Sequence, residues 1–107
     1  MKKKIFLVFL LLSFSLQTVV YAGGFEAKAR FNTAPSGFTI KLVVYDQKTG
    51  NLIKQKTVKG DFSCIILGLP YKKYKVEIYY NNKLVHTENS IYPGRDSGVR
   101  SVIYFYR

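Results

Sequence analysis

The side chains best suited to nucleophilic or acid–base chemistry are Cys64 and His86, each the only residue of its type. Side-chain nucleophilic catalysis requires a nucleophile, a base and an orienting group within hydrogen-bond reach of one another. Cys64 lies in an apolar stretch and is expected to be buried. If Leu84 faces the core, His86 faces it too as a hydrogen-bonded core histidine; otherwise His86 is exposed to solvent. Because several of the six carboxylates also fall in turns, where they cap the backbone, we predict that the protein is not an enzyme.

The sequence patterns of metal and cofactor sites are missing from the chain. A zinc site needs three or four cysteine, histidine or carboxylate ligands at recognisable spacing, and a phosphate-binding loop needs closely spaced glycines. We therefore predict neither a metal site nor a cofactor.

Lysines and tyrosines are abundant and favour binding over catalysis. The basic runs at 54–59 and 72–75 form one cationic face if their strands share a sheet; the alternative is a solvated face whose lysines protect a sheet edge. Tyrosines opposite the predicted core suit sugar stacking or protein recognition, or they simply pair across strands. The loop at 89–98 is long, charged and aromatic, which favours a contact loop, although it could equally be a crossover between sheets. The predicted binding residues are Lys54, Lys56, Lys75, Tyr79, Tyr92, Arg95, Tyr104 and Tyr106.

Residues 1–22 contain the parts of a secretory signal peptide in their usual order. Three lysines at 2–4 precede an apolar run, and small side chains stand before a cleavage site between Ala22 and Gly23. The alternative, a membrane anchor, needs about 20 apolar residues, whereas this run is shorter and ends in polar residues. We predict cleavage and export to the periplasm or the medium, which leaves one domain, residues 23–107, without a transmembrane span.

The chain that remains after cleavage is strongly basic. Residues 1–22 hold three of the 17 basic residues and none of the six acidic ones, so residues 23–107 carry a formal net charge of +8. Such a charge favours anionic partners, namely lipid head groups, acidic glycans, nucleic acid or an acidic protein face. Export makes nucleic acid the least expected of these. The charge could equally serve solubility by keeping a sheet protein monomeric.

Apolar and polar side chains alternate with a period of two between regularly spaced turn residues, which is typical of an all-β domain. The alternation begins with a strand around 27–31, includes a two-residue hairpin turn at Asn81 and Asn82, and ends with a strand at 99–106. We predict a single antiparallel β-sandwich of about seven strands with Greek-key connections. The predicted inward-facing residues are Phe38, Ile40, Leu42, Val44, Phe62, Cys64, Ile66, Tyr74, Val76, Ile78, Tyr80, Val99, Ser101, Ile103 and Phe105.

Residues 38–80 carry a succession of turn motifs: Val44-Tyr45-Asp46 with Thr49-Gly50, then Gly60-Asp61-Phe62, then Leu69-Pro70 before Tyr74-Lys75-Val76. This pattern resembles the prealbumin-like sandwiches, which include transthyretin-like domains, carboxypeptidase regulatory-like domains and the B-type repeats of bacterial adhesins. The resemblance implies their fold and a role as a binding, spacer or accessory module. The transthyretin-like hydrolases use several histidines and a Tyr-Arg-Gly-Ser motif, whereas this chain has one histidine, His86, and lacks that motif, so the resemblance does not imply their chemistry.

Three functions remain open from the sequence. The first is an exported non-catalytic module that binds an anionic envelope glycan or lipid, or another exported protein, through a basic, tyrosine-rich face. The second is a structural or assembly subunit that acts by β-strand pairing, including self-association. The third is a cationic effector of anionic membranes, which the lack of an amphipathic helix pattern disfavours.

Overall fold

The computed structural model describes residues 23–33 and 35–107. The predicted signal peptide, including Ala22 of the predicted cleavage site, lies outside the described residues. The described part of the chain is all-β, as the alternation predicts. Its strands are β1 (Gly24–Arg30), β2 (Thr39–Asp46), β3 (Leu52–Lys59), β4 (Ser63–Ile66), β5 (Tyr74–Tyr80), β6 (Lys83–Ile91) and β7 (Arg100–Tyr106). None of the described residues belongs to a helix that could cross a membrane.

The strands form two sheets. A three-stranded sheet has the order β4-β1-β7, and a four-stranded sheet has the order β3-β2-β5-β6. All neighbours are antiparallel except β1 and β7, which run parallel. The prediction of a purely antiparallel arrangement is therefore wrong at this pair. The first and last strands enter the same sheet in the same direction, and side-chain alternation alone carries no information about strand direction.

One hydrophobic core lies between the two sheets. The rings of Phe25 in β1 and Tyr74 in β5 meet edge to face across it, with 5.9 Å between their centroids. Because side chains alternate strictly between the two sides of a strand, the sequence pattern identifies most of this core. The predicted inward-facing residues that are buried are Phe38, Ile40, Leu42, Val44, Cys64, Ile66, Tyr74, Val76, Ile78, Ile103 and Phe105.

Two residues of the predicted inward-facing set, Phe62 and Val99, are instead about half exposed, at 50% and 48%. Each immediately precedes a strand, so the alternation does not extend to it. The Phe62 ring packs on the rings of Phe31 and Phe38, with centroids 5.7 and 5.9 Å away. The pattern therefore fails at strand ends, where the backbone is no longer extended.

The turns next to β6 differ in how far local sequence determines them. Asn81 and Asn82 have φ angles of 50° and 65°, the left-handed geometry of the predicted two-residue hairpin turn. The loop predicted at 89–98 is shorter than expected, because β6 continues through Ile91. There Ser90 has a φ of 54° and donates its N–H to Gln47 Oε1 at 2.8 Å. This long-range bond is not visible in the local sequence.

Candidate functional site

The eight predicted binding residues do not form one surface. Lys54 and Lys56 of β3 pair with core residues of β2, so both lysines lie on the inner side of the four-stranded sheet. Lys75 of β5 pairs with the outward-facing Tyr45. Lys54 and Lys56 therefore lie on the opposite side of the sheet from Lys75, and the hypothesis of a single cationic face is wrong for these three lysines.

Lys54 and Lys56 line a groove of about 530 Å³ between strands β3 and β4. The apolar stretch 65–67 forms the facing wall. Lys54 Nζ donates to the Leu67 carbonyl at 3.0 Å, and the Cys64 thiol lies 3.3 Å from the Lys56 carbonyl. These contacts tie the edges of the two sheets together, which gives the groove a structural role.

Tyr79 lies on the outer side of the four-stranded sheet, in a cluster centred on Glu77. Tyr79 Oη donates to Glu77 Oε1 at 3.0 Å, and Lys75 Nζ lies 3.8 Å from Glu77 Oε2. The bond to Glu77 raises the pKa of Tyr79, whereas desolvation is the main cause of the raised pKa of Tyr45, which also bonds to Glu77. Lys41 Nζ lies 4.6 Å from the centroid of the Tyr79 ring. Because these groups satisfy one another, this face offers a ligand few free partners.

Tyr104 and Tyr106 lie on the outer side of the three-stranded sheet. The Arg30 guanidinium stacks over the Tyr104 ring, 4.3 Å from its centroid. Tyr106 is 76% exposed. Glu26 in β1 is buried and accepts a hydrogen bond from Arg100 Nε at 2.9 Å. This face is therefore basic and aromatic, and the Glu26 carboxylate on it is already hydrogen-bonded to Arg100.

Tyr92 and Arg95 meet a third residue, Tyr71, in the loops before β5 and β7. The Tyr71 and Tyr92 rings stack with centroids 4.9 Å apart and planes 20° apart, and the Arg95 guanidinium carbon lies 5.5 Å from the Tyr71 centroid. Both rings are 42% exposed. No carboxylate of the described ranges forms a salt bridge with Arg95. The Tyr71–Tyr92–Arg95 cluster therefore combines aromatic surface with a guanidinium that forms no salt bridge with a described carboxylate.

Backbone hydrogen bonds to the start of β1 hold the loop that carries Tyr92 and Arg95. The Gly23 N–H donates to the Gly94 carbonyl at 2.7 Å. Ser101 Oγ donates to the Tyr92 carbonyl at 2.8 Å. Gly94 is buried between the exposed Tyr92 and Arg95. The loop thus presents both side chains from a fixed backbone.

The sequence patterns assign no role to Tyr71, because it follows Pro70 in a turn outside every alternating segment. The structure fixes this turn from two sides: the Leu69 N–H donates to the Gly23 carbonyl at 3.1 Å, and Tyr74 Oη donates to the Pro70 carbonyl at 2.7 Å. Gly23 therefore anchors both loops of the cluster. An aromatic residue directly after a proline in a turn is the signal that could have pointed to Tyr71.

A buried carboxylate at the end of β2 supports the same turn. Asp46 Oδ1 accepts the N–H groups of Lys48 and Thr49 at 2.9 and 3.1 Å, and Asp46 Oδ2 lies 2.5 Å from Lys72 Nζ. Lys72 follows Tyr71 directly, so the ion pair restrains the turn that presents this ring. The hydrogen bond from Lys72 is the main cause that lowers the pKa of Asp46 from 3.8 to about 2.

We expect Asp46 to make the stability of the fold sensitive to acid. A carboxyl group whose pKa is lowered on folding stabilises the fold above its unfolded pKa, and this stabilisation is lost as the pH falls through the folded pKa. For Asp46 the loss runs from about pH 4 to about pH 2. Asp46→Asn keeps an oxygen for the two backbone N–H groups but removes the ion pair, so its melting temperature should depend less on pH across this range. Asp61→Asn, the same change at an exposed residue, is the control, and equal flattening in both variants would contradict the role of Asp46.

His86 and Cys64 lie in different sheets, on β6 and β4. His86 pairs with the inward-facing Ile78, and His86 Nε2 lies 3.1 Å from Glu88 Oε1. Leu84 is 49% exposed, because a register shift between it and His86 breaks the alternation that would have placed the two side chains together. Cys64 is buried, as predicted, and its burial raises the pKa of the thiol. The two groups therefore do not form a nucleophile–base pair.

Within residues 23–33 and 35–107, no three histidine, cysteine or carboxylate side chains lie close enough together to hold a metal ion. Comparisons of the chain with protein-family models, with curated proteins and with solved structures found no match.

Proposed function

We propose that this chain is an exported, non-catalytic module that binds an anionic glycan of the cell envelope through the Tyr71–Tyr92–Arg95 cluster. One observation carries the proposal: two exposed tyrosine rings stack beside a guanidinium that forms no salt bridge with a described carboxylate. Aromatic rings pack against the apolar faces of sugar rings, and a guanidinium binds carboxylate or phosphate groups through paired hydrogen bonds. The +8 charge of residues 23–107 attracts such a polymer from a longer distance.

The signal pattern of residues 1–22 supports a periplasmic or secreted location for the module. Cleavage between Ala22 and Gly23 makes Gly23, which anchors both loops of the cluster, the first residue of the exported chain. The ammonium group created there keeps N–H donors for the Gly94 carbonyl, which lies 2.7 Å from the Gly23 nitrogen. Cleavage at this position is therefore compatible with the geometry of the site.

The proposed fold of residues 23–107 is a Greek-key sandwich of the prealbumin-like type. The strand order supports it, because the chain changes sheets after β1, after β3, after β4 and after β6. The turn residues on which the resemblance rests, at Asp46, Gly60 and Leu69, join β2 to β5 in the expected succession. In such a scaffold the loops between strands carry the contact residues, which is where Tyr71 and Tyr92 lie.

Binding of an acidic polysaccharide tests the proposed function. Titration calorimetry of the secreted protein would use polygalacturonate as the probe and its methyl ester as the neutral control. We expect Tyr92→Ala and Arg95→Gln each to weaken binding about tenfold, or about 1.4 kcal/mol. Lys59→Gln removes the same charge from an exposed residue of β3 and should change the affinity less than about twofold. Equal losses in Arg95→Gln and Lys59→Gln, or equal binding of the neutral polymer, would contradict the proposal.

A further inference from the structure

One sheet has three strands and the other has four. The smaller sheet therefore has room for a fourth strand beside β7, which we call the vacant position. At one side of the molecule β4 lies against β3 and β2, so β7 is at the opposite side, towards β5 and β6. None of the residues of β6 is buried, whereas three residues of β5 are. The inner side of β6 is thus uncovered where a fourth strand of the three-stranded sheet would lie.

The backbone edge of β7 that faces this position is free. β7 pairs with β1, and no other strand of the described chain pairs with it. The Arg107 N–H donates to the Arg30 carbonyl, and the Val99 carbonyl accepts the Gly24 N–H. Odd-numbered residues therefore direct their backbone groups towards β1. Because successive residues of a strand point these groups to opposite edges, the even-numbered residues of 100–106 direct theirs towards the vacant position.

The β7 edge lacks the features by which sheet proteins usually prevent unwanted pairing. Its interior, residues 101–105, contains no charged residue and no proline. The other edge strands are protected: β3 carries three lysines, β6 carries a lysine, a histidine and a glutamate, and β4 has only four residues. Lysines, inward charges and short strands prevent edge-to-edge association. The contrast within one chain indicates that the β7 edge is kept available.

The outer side of this edge favours acidic side chains. Lys28, Arg30 and Arg100 lie on the outer side of the three-stranded sheet, in register with or next to β7. The carboxylate that the structure places among them, Glu26, is buried and already bonded to Arg100 and Ser63. The bond from Ser63 is the main cause of the lowered pKa of Glu26. The Glu26 carboxylate therefore stays ionised and paired with Arg100. It forms no salt bridge with Lys28 or Arg30, the other two cations of this face.

The inner side of the vacant position carries two half-buried apolar side chains beside an ion-paired couple. Val85 and Ile91 of β6 pack against the core. His86 and Glu88 pair with inward-facing residues of β5, and His86 Nε2 lies 3.1 Å from Glu88 Oε1, so these two polar groups already satisfy each other. A strand beside β7 directs alternate side chains towards β6 and covers Val85 and Ile91. The remaining side chains of the added strand lie on the outer side of the sheet, next to its basic residues.

We propose that β7 pairs with an extended segment of another exported protein, in which acidic side chains alternate with apolar ones. Such a segment forms main-chain hydrogen bonds with the β7 edge, and its alternating side chains provide the specificity. A second copy of this chain fits less well, because β7 contains no acidic residue and two domains of charge +8 repel each other. The proposal is independent of glycan binding at the Tyr71–Tyr92–Arg95 cluster.

Hydrogen exchange with a model strand tests the pairing directly. The probe is a peptide of alternating valine and glutamate, and the control is the same peptide with lysine in place of glutamate. In the free protein, the amides of Val102, Tyr104 and Tyr106 should exchange rapidly, whereas those of Ser101, Ile103 and Phe105 are protected by β1. The glutamate peptide should protect the first group, and the lysine peptide should not. Exchange that the glutamate peptide leaves unchanged, or equal protection by both peptides, would overturn the proposal.

A proline variant supplies the matched test. Val102→Pro removes an N–H that points to the free edge and leaves the bonds to β1 in place, so it should weaken peptide binding about tenfold or more. Val102→Ala shortens the same side chain but keeps the backbone N–H donor, so it should lose much less affinity than Val102→Pro. Equal losses in the two variants would overturn backbone pairing. If the protein alone forms dimers that Val102→Pro abolishes in sedimentation experiments, the edge binds a second copy and the proposed partner is wrong.

Discussion

Tyr74→Ala is expected to lower the free energy of unfolding by about 3–5 kcal/mol. Tyr74 is fully buried, its ring meets Phe25 of the other sheet at 5.9 Å, and its hydroxyl donates to the Pro70 carbonyl at 2.7 Å. Small domains are stable by roughly 0.05–0.15 kcal/mol per residue, so the substitution removes a large part of the stability of residues 23–107. Urea denaturation followed by circular dichroism measures the loss.

Two control variants divide this effect into its parts. Tyr74→Phe keeps the ring packing and removes the hydrogen bond to Pro70, which should cost about 1 kcal/mol. Tyr106→Ala truncates the same residue type at a position that is 76% exposed and should change stability by less than about 0.5 kcal/mol. A loss in Tyr106→Ala as large as that in Tyr74→Ala would contradict the core position of Tyr74.

Alternation predicts the core because a strand places successive side chains on opposite sides whatever its neighbours are. Ile40, Leu42 and Val44 are buried in this way. The alternation does not show which strands pair with each other or in which register. The parallel β1–β7 pair and the placement of Lys54 and Lys75 on opposite sides of one sheet both depend on register, which hydrogen bonds between distant segments determine.

The candidate site could be predicted only in part, because it also depends on contacts between distant segments. Tyr92 and Arg95 belong to a loop that its length and composition identify, whereas Tyr71 belongs to another loop and joins them only through ring stacking. Gly23 connects the two loops through backbone hydrogen bonds, which leave no periodic pattern in the sequence. By contrast, the turn at Asn81 was predictable because its left-handed φ depends on local residue type.

Several carboxylates of the described chain are bonded to neighbouring side chains. Glu26 bonds to Arg100, Asp46 to Lys72, and Glu77 to two tyrosines near Lys75. These carboxylates therefore form contacts inside the domain and are not available to a partner. The basic residues that form no salt bridge with these carboxylates include Arg95 at the cluster and Lys28 and Arg30 beside β7, and both surfaces are proposed to bind partners.

The start of β1 is the part of the fold on which the cluster depends most. Gly24→Ala is expected to lower the free energy of unfolding by about 3 kcal/mol or more, because an added Cβ would lie 1.6 Å from the Ile66 carbonyl oxygen in β4. Both partners in this collision are backbone, so no side-chain rotation relieves it. The Gly24 N–H also donates to the Val99 carbonyl at 2.9 Å, and the Gly24 carbonyl accepts the Gly94 N–H at 3.0 Å. A shift of β1 away from β4 therefore displaces the loop that presents Tyr92.

Gly98→Ala is the matched control for this prediction. Gly98 has a φ of +81°, and a Cβ added there meets no atom within 4 Å, so its cost is that of the left-handed backbone alone, about 1–2 kcal/mol. Thermal denaturation should rank wild type above Gly98→Ala and Gly98→Ala above Gly24→Ala. Polygalacturonate binding below the melting temperature should fall in Gly24→Ala and persist in Gly98→Ala. Wild-type stability in Gly24→Ala would contradict the close approach of β1 to β4, whereas a destabilised variant with full binding would show that the cluster does not depend on the start of β1.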